Sequence, residues 1–157
     1  VMRGSLFPFT KSVAVYRCPS DQSKVVDQPI RRTRSYSMSA YMNGDGAGID
    51  PRVKTLYSEF RNPSPDKVFV FVEEHEASIW AGAFAVTPRD KISLLSGSWT
   101  STPADRHNQG CNLSFADGHV EYWKWHWPKS ADLNNQQTAN NHELRDLRRL
   151  QDAVPRP

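Results

Sequence analysis

The chain has 157 residues, of which 38% are apolar, 24% charged and 11% aromatic, and its formal net charge is +3. This length supports one domain that buries roughly 70% of the surface its unfolded form exposes, and five Trp set it apart from a disordered chain. The charge excess is too mild to argue for nucleic acid as a partner, and no run of about 18 apolar residues is present to cross a membrane.

Residues 1–10 lack the long apolar stretch of a secretory signal, and a chain opening on Val1 reads as a fragment whose N-terminal part is missing. The apolar run Val13-Ala14-Val15-Tyr16 predicts a strand, ended by a turn at Cys18-Pro19-Ser20-Asp21. Residues 21–33 are polar and basic and read as a loop. Residues 34–41 alternate through Tyr36, Met38 and Tyr41, which predicts a second strand. Asn43 to Gly48 is a glycine-rich loop. It superficially resembles the start of a calcium loop, but Lys54 stands where a bidentate Glu is needed. Residues 49–66 carry three prolines and read as connection, with a short helical turn near Leu56. Val68-Phe69-Val70-Phe71-Val72 is the clearest buried strand, and it runs directly into Glu73-Glu74-His75-Glu76. A further strand is expected at 83–86, followed by a loop-rich stretch over 87–110.

The strongest local signal is Asp117-Gly118 between two strand-like runs, 111–116 and 119–125. A two-residue Asp-Gly loop predicts a type I′ hairpin with positive φ at both positions. That register sets Phe115 opposite Val120 and Leu113 opposite Tyr122 on one face, with Ser114 opposite Glu121 and Asn112 opposite Trp123 on the other. His119 then lies exposed on the polar face. Residues 128–140, rich in Asn and Gln, read as a surface loop. Asn141 is the expected cap of a helix over 141–154, striped by Leu144, Leu147, Leu150 and Val154. Arg145, Arg148 and Arg149 are expected on its solvated face. The whole is one domain over 1–157, with sheet and loops to 127, loop to 140 and helix to 154. The fold class expected is α+β: an antiparallel sheet of about four to six short strands, loop-rich, with a C-terminal helix.

Two cysteines leave two readings open. Cys18 and Cys111 could form a disulfide that contributes about 4–5 kcal/mol in the chain-entropy model, or remain two thiols. The pair Cys111 and His107, four residues apart, is not expected to be nucleophilic, because Cys111 lies within a predicted strand. Trp123, Trp125 and Trp127 fall on one side of an extended strand, as core, as an assembly interface or as a sugar-stacking platform. Trp80 and Trp99 stand in loops and join either cluster.

Four segments together carry a family resemblance. His107 and Asp117-Gly118 are separated by nine residues. Cys18-Pro19-Ser20-Asp21 precedes them, then Ser35-Tyr36-Ser37-Met38, with Ser39 where Asn is usual, then Phe71-Val72-Glu73-Glu74-His75. In this order, over roughly residues 6–126, they resemble the H-x9-DG segment and companion motifs of prepilin-type proteins, the major-pseudopilin-like family related to type II secretion. The resemblance implies a leader cut by a prepilin peptidase and an apolar helix that anchors the parent in the inner membrane, both absent from this chain. It implies an outward-facing globular domain in the cell envelope, on the periplasmic side. Its partners would be other pseudopilin subunits, met through the missing helix, with no enzymatic activity. An apolar sheet face left uncovered is a further expectation. Some relatives hold calcium, so a divalent cation, calcium first, is implied as cofactor.

The motif's geometry limits its chemistry. With residues 108–116 extended, His107 and Asp117 stand up to about 33 Å apart, at opposite ends of one strand. Asp117-Gly118 therefore reads as turn chemistry. If the 68–72 strand lies antiparallel beside 113–115, Glu73 and Glu74 approach His107, with Asp105 near in sequence. These four could ligate a divalent cation, or Glu and His could form a structural pair. Two alternatives to the structural subunit follow: a metal-dependent enzyme built on Glu73, Glu74, Asp105 and His107, and an extracellular carbohydrate-binding module built on the Trp row.

Overall fold

β-Branched and aromatic runs decide where the sheet forms, and glycine, proline and asparagine decide where it stops. The computed structural model describes residues 2–79, 82–89, 94–129 and 135–157. Trp80 and part of the 128–140 segment lie outside the described residues. Five strands form one sheet: β1 (Tyr36–Ser39), β2 (Phe69–Glu73), β3 (Ala83–Phe84), β4 (Gly110–Phe115) and β5 (Val120–Lys124). Across the sheet they run β3-β1-β2-β4-β5. Every neighbouring pair is antiparallel except β1 with β3, which is parallel. A short helix α1 (Phe7–Thr10) precedes the sheet and a longer helix α2 (Asn141–Asp152) ends the chain. The expected α+β class, largely antiparallel with a C-terminal helix, is the observed one.

Three local expectations are corrected. The run at 13–16 is not a strand: Ala14–Tyr16 forms a single 3-10 turn, closed by the Tyr16 amide on the Val13 carbonyl and the Arg17 amide on the Ala14 carbonyl. The β4–β5 register is shifted by one residue from the expected pairing: Cys111 opposes Trp123, Leu113 opposes Glu121 and Ser114 opposes Val120. The loop has three residues, with the Gly118 amide donating to the Phe115 carbonyl, and of Asp117 and Gly118 only Gly118 has positive φ, at 96°. This is the turn-plus-bulge hairpin, in which one left-handed residue suffices. The shift moves Val120 and Tyr122 to the outer face and buries Trp123 and Trp125. The third correction is smaller. Asn140, not Asn141, caps α2, its side-chain oxygen accepting from the His142 and Glu143 amides.

One apolar cluster joins Val72, Leu113 and Phe115 of the sheet to Leu147 and Leu150 of α2, with Trp99 and Trp125 filling the space between. Each of these two rings also places its N–H, Trp99 on Glu143 Oε1 and Trp125 on the Ala104 carbonyl. The opposite face of the sheet is thinly covered. Tyr36, Met38 and Phe71 are half-buried there, beside a cleft of about 400 Å³ against Leu6 and Tyr16, while Val120 and Tyr122 stay exposed. Apolar area is thus exposed at the β5 edge of this face, while the segment before β1 covers part of the remainder.

Candidate functional site

The site is set by the parity of β2. Successive strand residues point to opposite faces, so Glu73 and Glu74 part company. β2 runs antiparallel to β4 with Val72 opposite Leu113, which carries Glu73 toward the segment entering β4. There Asn108 and Gln109 both adopt left-handed conformations, at φ 51° and 60°. They curl the chain so that His107 turns back over the sheet. Tyr122 on β5 holds that curl, its hydroxyl donating to the His107 carbonyl at 2.8 Å and the Asn108 carbonyl at 3.2 Å. Gly110 is needed beneath it, because a Cβ there would lie 2.6 Å from the Tyr122 hydroxyl and collide with the Trp123 carbonyl.

His107 Nε2 ends 3.0 Å from Glu73 Oε2 and 3.2 Å from Cys18 Sγ. One oxygen of Glu73, the thiol sulfur and Nε2 all lie within 4.8 Å of one another. Glu73 is fully buried, and Oε2 makes no directional hydrogen bond despite its closeness to the imidazole. Its other oxygen, Oε1, accepts from Arg106 at 2.8 Å. Arg106 also pairs with Glu76 at 3.0 Å and lies 3.9 Å from Asp21. Cys18 is placed by its own backbone: its amide donates to Ser35 Oγ at 3.1 Å, and that hydroxyl donates to Asp21 Oδ2 at 2.5 Å.

The electrostatics follow from burial among acidic groups. Burial first, and the Glu73 carboxylate second, push the Cys18 thiol up. The Tyr36 phenol is pushed up to about 12 by burial, by Glu73 and by Cys18. Burial alone would raise Asp21, but the Ser35 and Ser23 donors and the Arg106 charge outweigh it and hold the carboxyl below its ordinary value. This is not an activated nucleophile. A thiol becomes reactive when its thiolate is favoured, and here it is disfavoured. Moreover Glu73 and Cys18 meet the same imidazole nitrogen, whereas a nucleophile–base–orienter relay uses the two different nitrogens.

Of the four expected metal ligands, the structure brings Glu73 and His107 together and separates the other two. Glu74 points to the opposite face, where it accepts from the Ser37 hydroxyl and, at 2.8 Å, from Ser78. Its carboxyl is raised by burial. Asp105 accepts from the Lys129 amide at 2.9 Å, held in another network. Sequence reasoning did not place Cys18 in this set, although its Cys-Pro-Ser-Asp segment was one of the four singled out. Calcium finds no support in a donor set with a thiol and an imidazole, since it favours oxygen ligands.

Of the two readings open for the cysteines the structure has the unpaired one: both thiols are free and buried. Cys111 shares the face of Leu113 and Val72, while Cys18 lies with Glu73 on the other, so the sheet stands between them. Asp117 and Gly118 serve the turn, far along β4 from His107. His119, expected to be exposed, is half-buried. Its ring stacks on Phe115 at 4.5 Å, and Nδ1 lies 2.6 Å from Asp117. That carboxylate, with Glu121 behind it, raises His119. Trp123 and Trp125 are buried edge to face at an interplanar angle of 83°, and of the row Trp127 alone is exposed. The row therefore offers no flat stacking platform. Arg149 is exposed as expected, and its guanidinium also lies over the Trp123 ring at 3.7 Å.

No family model, curated protein or solved structure matches the chain.

Proposed function

We propose that this chain is a structural subunit: the outward-facing globular domain of a pseudopilin-like protein of a type II secretion or type IV pilus-like system. Its parent is anchored in the inner membrane, its place is the periplasmic side of the cell envelope, and its partners are other subunits of the same kind. The observation that carries this reading is where the four family-like segments go. Cys18 to Asp21, Ser35 to Met38, Phe71 to His75 and the His107 end of the run from His107 to Gly118 meet around the end of β2. Their polar groups are largely spent on one another and on the adjoining Arg106, Glu76 and Ser78, through Ser35–Asp21, Arg106–Glu73–Glu76 and Ser37–Glu74–Ser78. Such closed networks fix a fold and leave few groups to turn over a substrate. The exposed Met2, Phe9, Val15 and Val120 supply apolar area that contact between subunits would cover.

Among the described residues no helix is long and apolar enough to cross a membrane, so the anchor belongs to the proposal. The gene upstream of Val1 tests it. A basic leader, a small-residue cleavage site with Glu shortly after it, and about 20 apolar residues are expected. A start codon or a secretory signal peptide immediately before Val1 overturns the reading.

A further inference from the structure

The closed networks leave one group over. Glu73 Oε2 is buried, makes no directional hydrogen bond, and faces the sulfur of Cys18 and Nε2 of His107. We propose that Cys18, Glu73 and His107 form a binding site for a thiophilic divalent transition metal, zinc before others, that fastens the N-terminal segment to the sheet. This goes beyond the subunit reading and does not depend on it.

The donor chemistry selects the metal. Thiolate, imidazole and a single carboxylate oxygen are a set that zinc takes readily, and they exclude magnesium and calcium, which favour all-oxygen cages. The spacing agrees. A tetrahedral zinc with bonds of about 2.3 Å to sulfur and about 2.0 Å to nitrogen and oxygen holds sulfur and nitrogen about 3.5 Å apart, and nitrogen and oxygen about 3.3 Å apart. The structure has 3.2 Å and 3.0 Å for these pairs, so an expansion of a few tenths of an ångström admits the ion. Loading displaces the thiol proton to solvent, and the resulting thiolate and the Glu73 carboxylate balance the two positive charges. Arg106 does not compete for the ligating oxygen. It is tied to Oε1 of Glu73, and Glu76 and Asp21 offset its charge. The three ligands come from the segment at 18, the end of β2 and the curl before β4. A bound ion therefore links elements far apart in sequence. The fourth position falls to water, because the His107 side chain is 28% exposed.

Cobalt(II) is the probe, because a cobalt–thiolate bond adds a near-ultraviolet charge-transfer band. The chain, stripped of metal and kept reduced, is expected to bind one equivalent with that band. Zinc(II) should displace the cobalt, while a large excess of calcium(II) should not. Cys18→Ser should lose the band with its circular dichroism unchanged, and Cys111→Ser should keep it. A folded wild-type chain that gives no band overturns the proposal, as does a band that survives in Cys18→Ser or vanishes in a folded Cys111→Ser. Should Cys18→Ser fail to fold, X-ray absorption of the zinc-loaded wild type decides. One sulfur with nitrogen and oxygen neighbours upholds the site, and a shell without sulfur overturns it.

Discussion

Buried charges are the residues whose replacement this fold feels most. Asp146 on α2 is fully buried and accepts from the His126 and Trp127 amides and, at 2.6 Å, from Lys129 Nζ. Lys129 is equally buried, between the rings of Trp99 and Trp125. Replacing one partner strands the other, so Asp146→Ala is expected to cost about 3–5 kcal/mol in urea unfolding. The double variant Lys129→Met with Asp146→Leu should recover much of that loss. Glu74 makes a different prediction. Folding raises its carboxyl, so the folded chain holds more proton there than the unfolded chain. Its contribution is complete below the ordinary value of 4.5 and is lost as pH rises through the raised value. Glu74→Gln should flatten that part of the stability–pH curve, and parallel melts of the two proteins across acidic to neutral pH check it.

At the scale of elements, hairpin and helix differ in how much the residues disclose. The stripe of Leu144, Leu147 and Leu150 is legible because helical spacing leaves one apolar face; the cap is displaced by one position and the helix ends at Asp152, before Val154. The hairpin's existence is legible from Asp117-Gly118, yet its register is not, because the same dipeptide serves two- and three-residue loops. Pairing Phe115 with Val120 and Leu113 with Tyr122 looked favourable, but burying the two larger Trp rings removes more apolar area from water. The glycines record the outcome. Gly118→Ala should cost about 1 kcal/mol for its left-handed φ. Gly110→Ala should cost more, because the Trp123 carbonyl cannot withdraw without breaking the ladder. Asn140→Ala should cost about 1 kcal/mol by removing the acceptor of two first-turn amides. Chemical denaturation of the three variants ranks them.

The whole molecule is governed by one core shared between sheet and helix. Leu150→Ala, at a fully buried position, is expected to cost about 2–5 kcal/mol. It should lower a single transition seen alike by far-ultraviolet dichroism and Trp fluorescence, whereas separate transitions would mean that α2 unfolds on its own. Two of the three members of the candidate site were legible at this scale: antiparallel pairing of β2 with β4 carries Glu73 toward the segment that holds His107. Cys18 was not, because it arrives on an irregular segment whose path follows from Ser35 and Asp21 and not from any periodicity. The strand order has one further consequence, for association. β3 has only two residues, too few to template another strand, and β5 displays Glu121 and Lys124 along its length. Short edges and charged edges both discourage strand addition. Copies brought close together would thus be discouraged from merging their sheets into a growing β-stack, and crowding the chain should not seed fibrils.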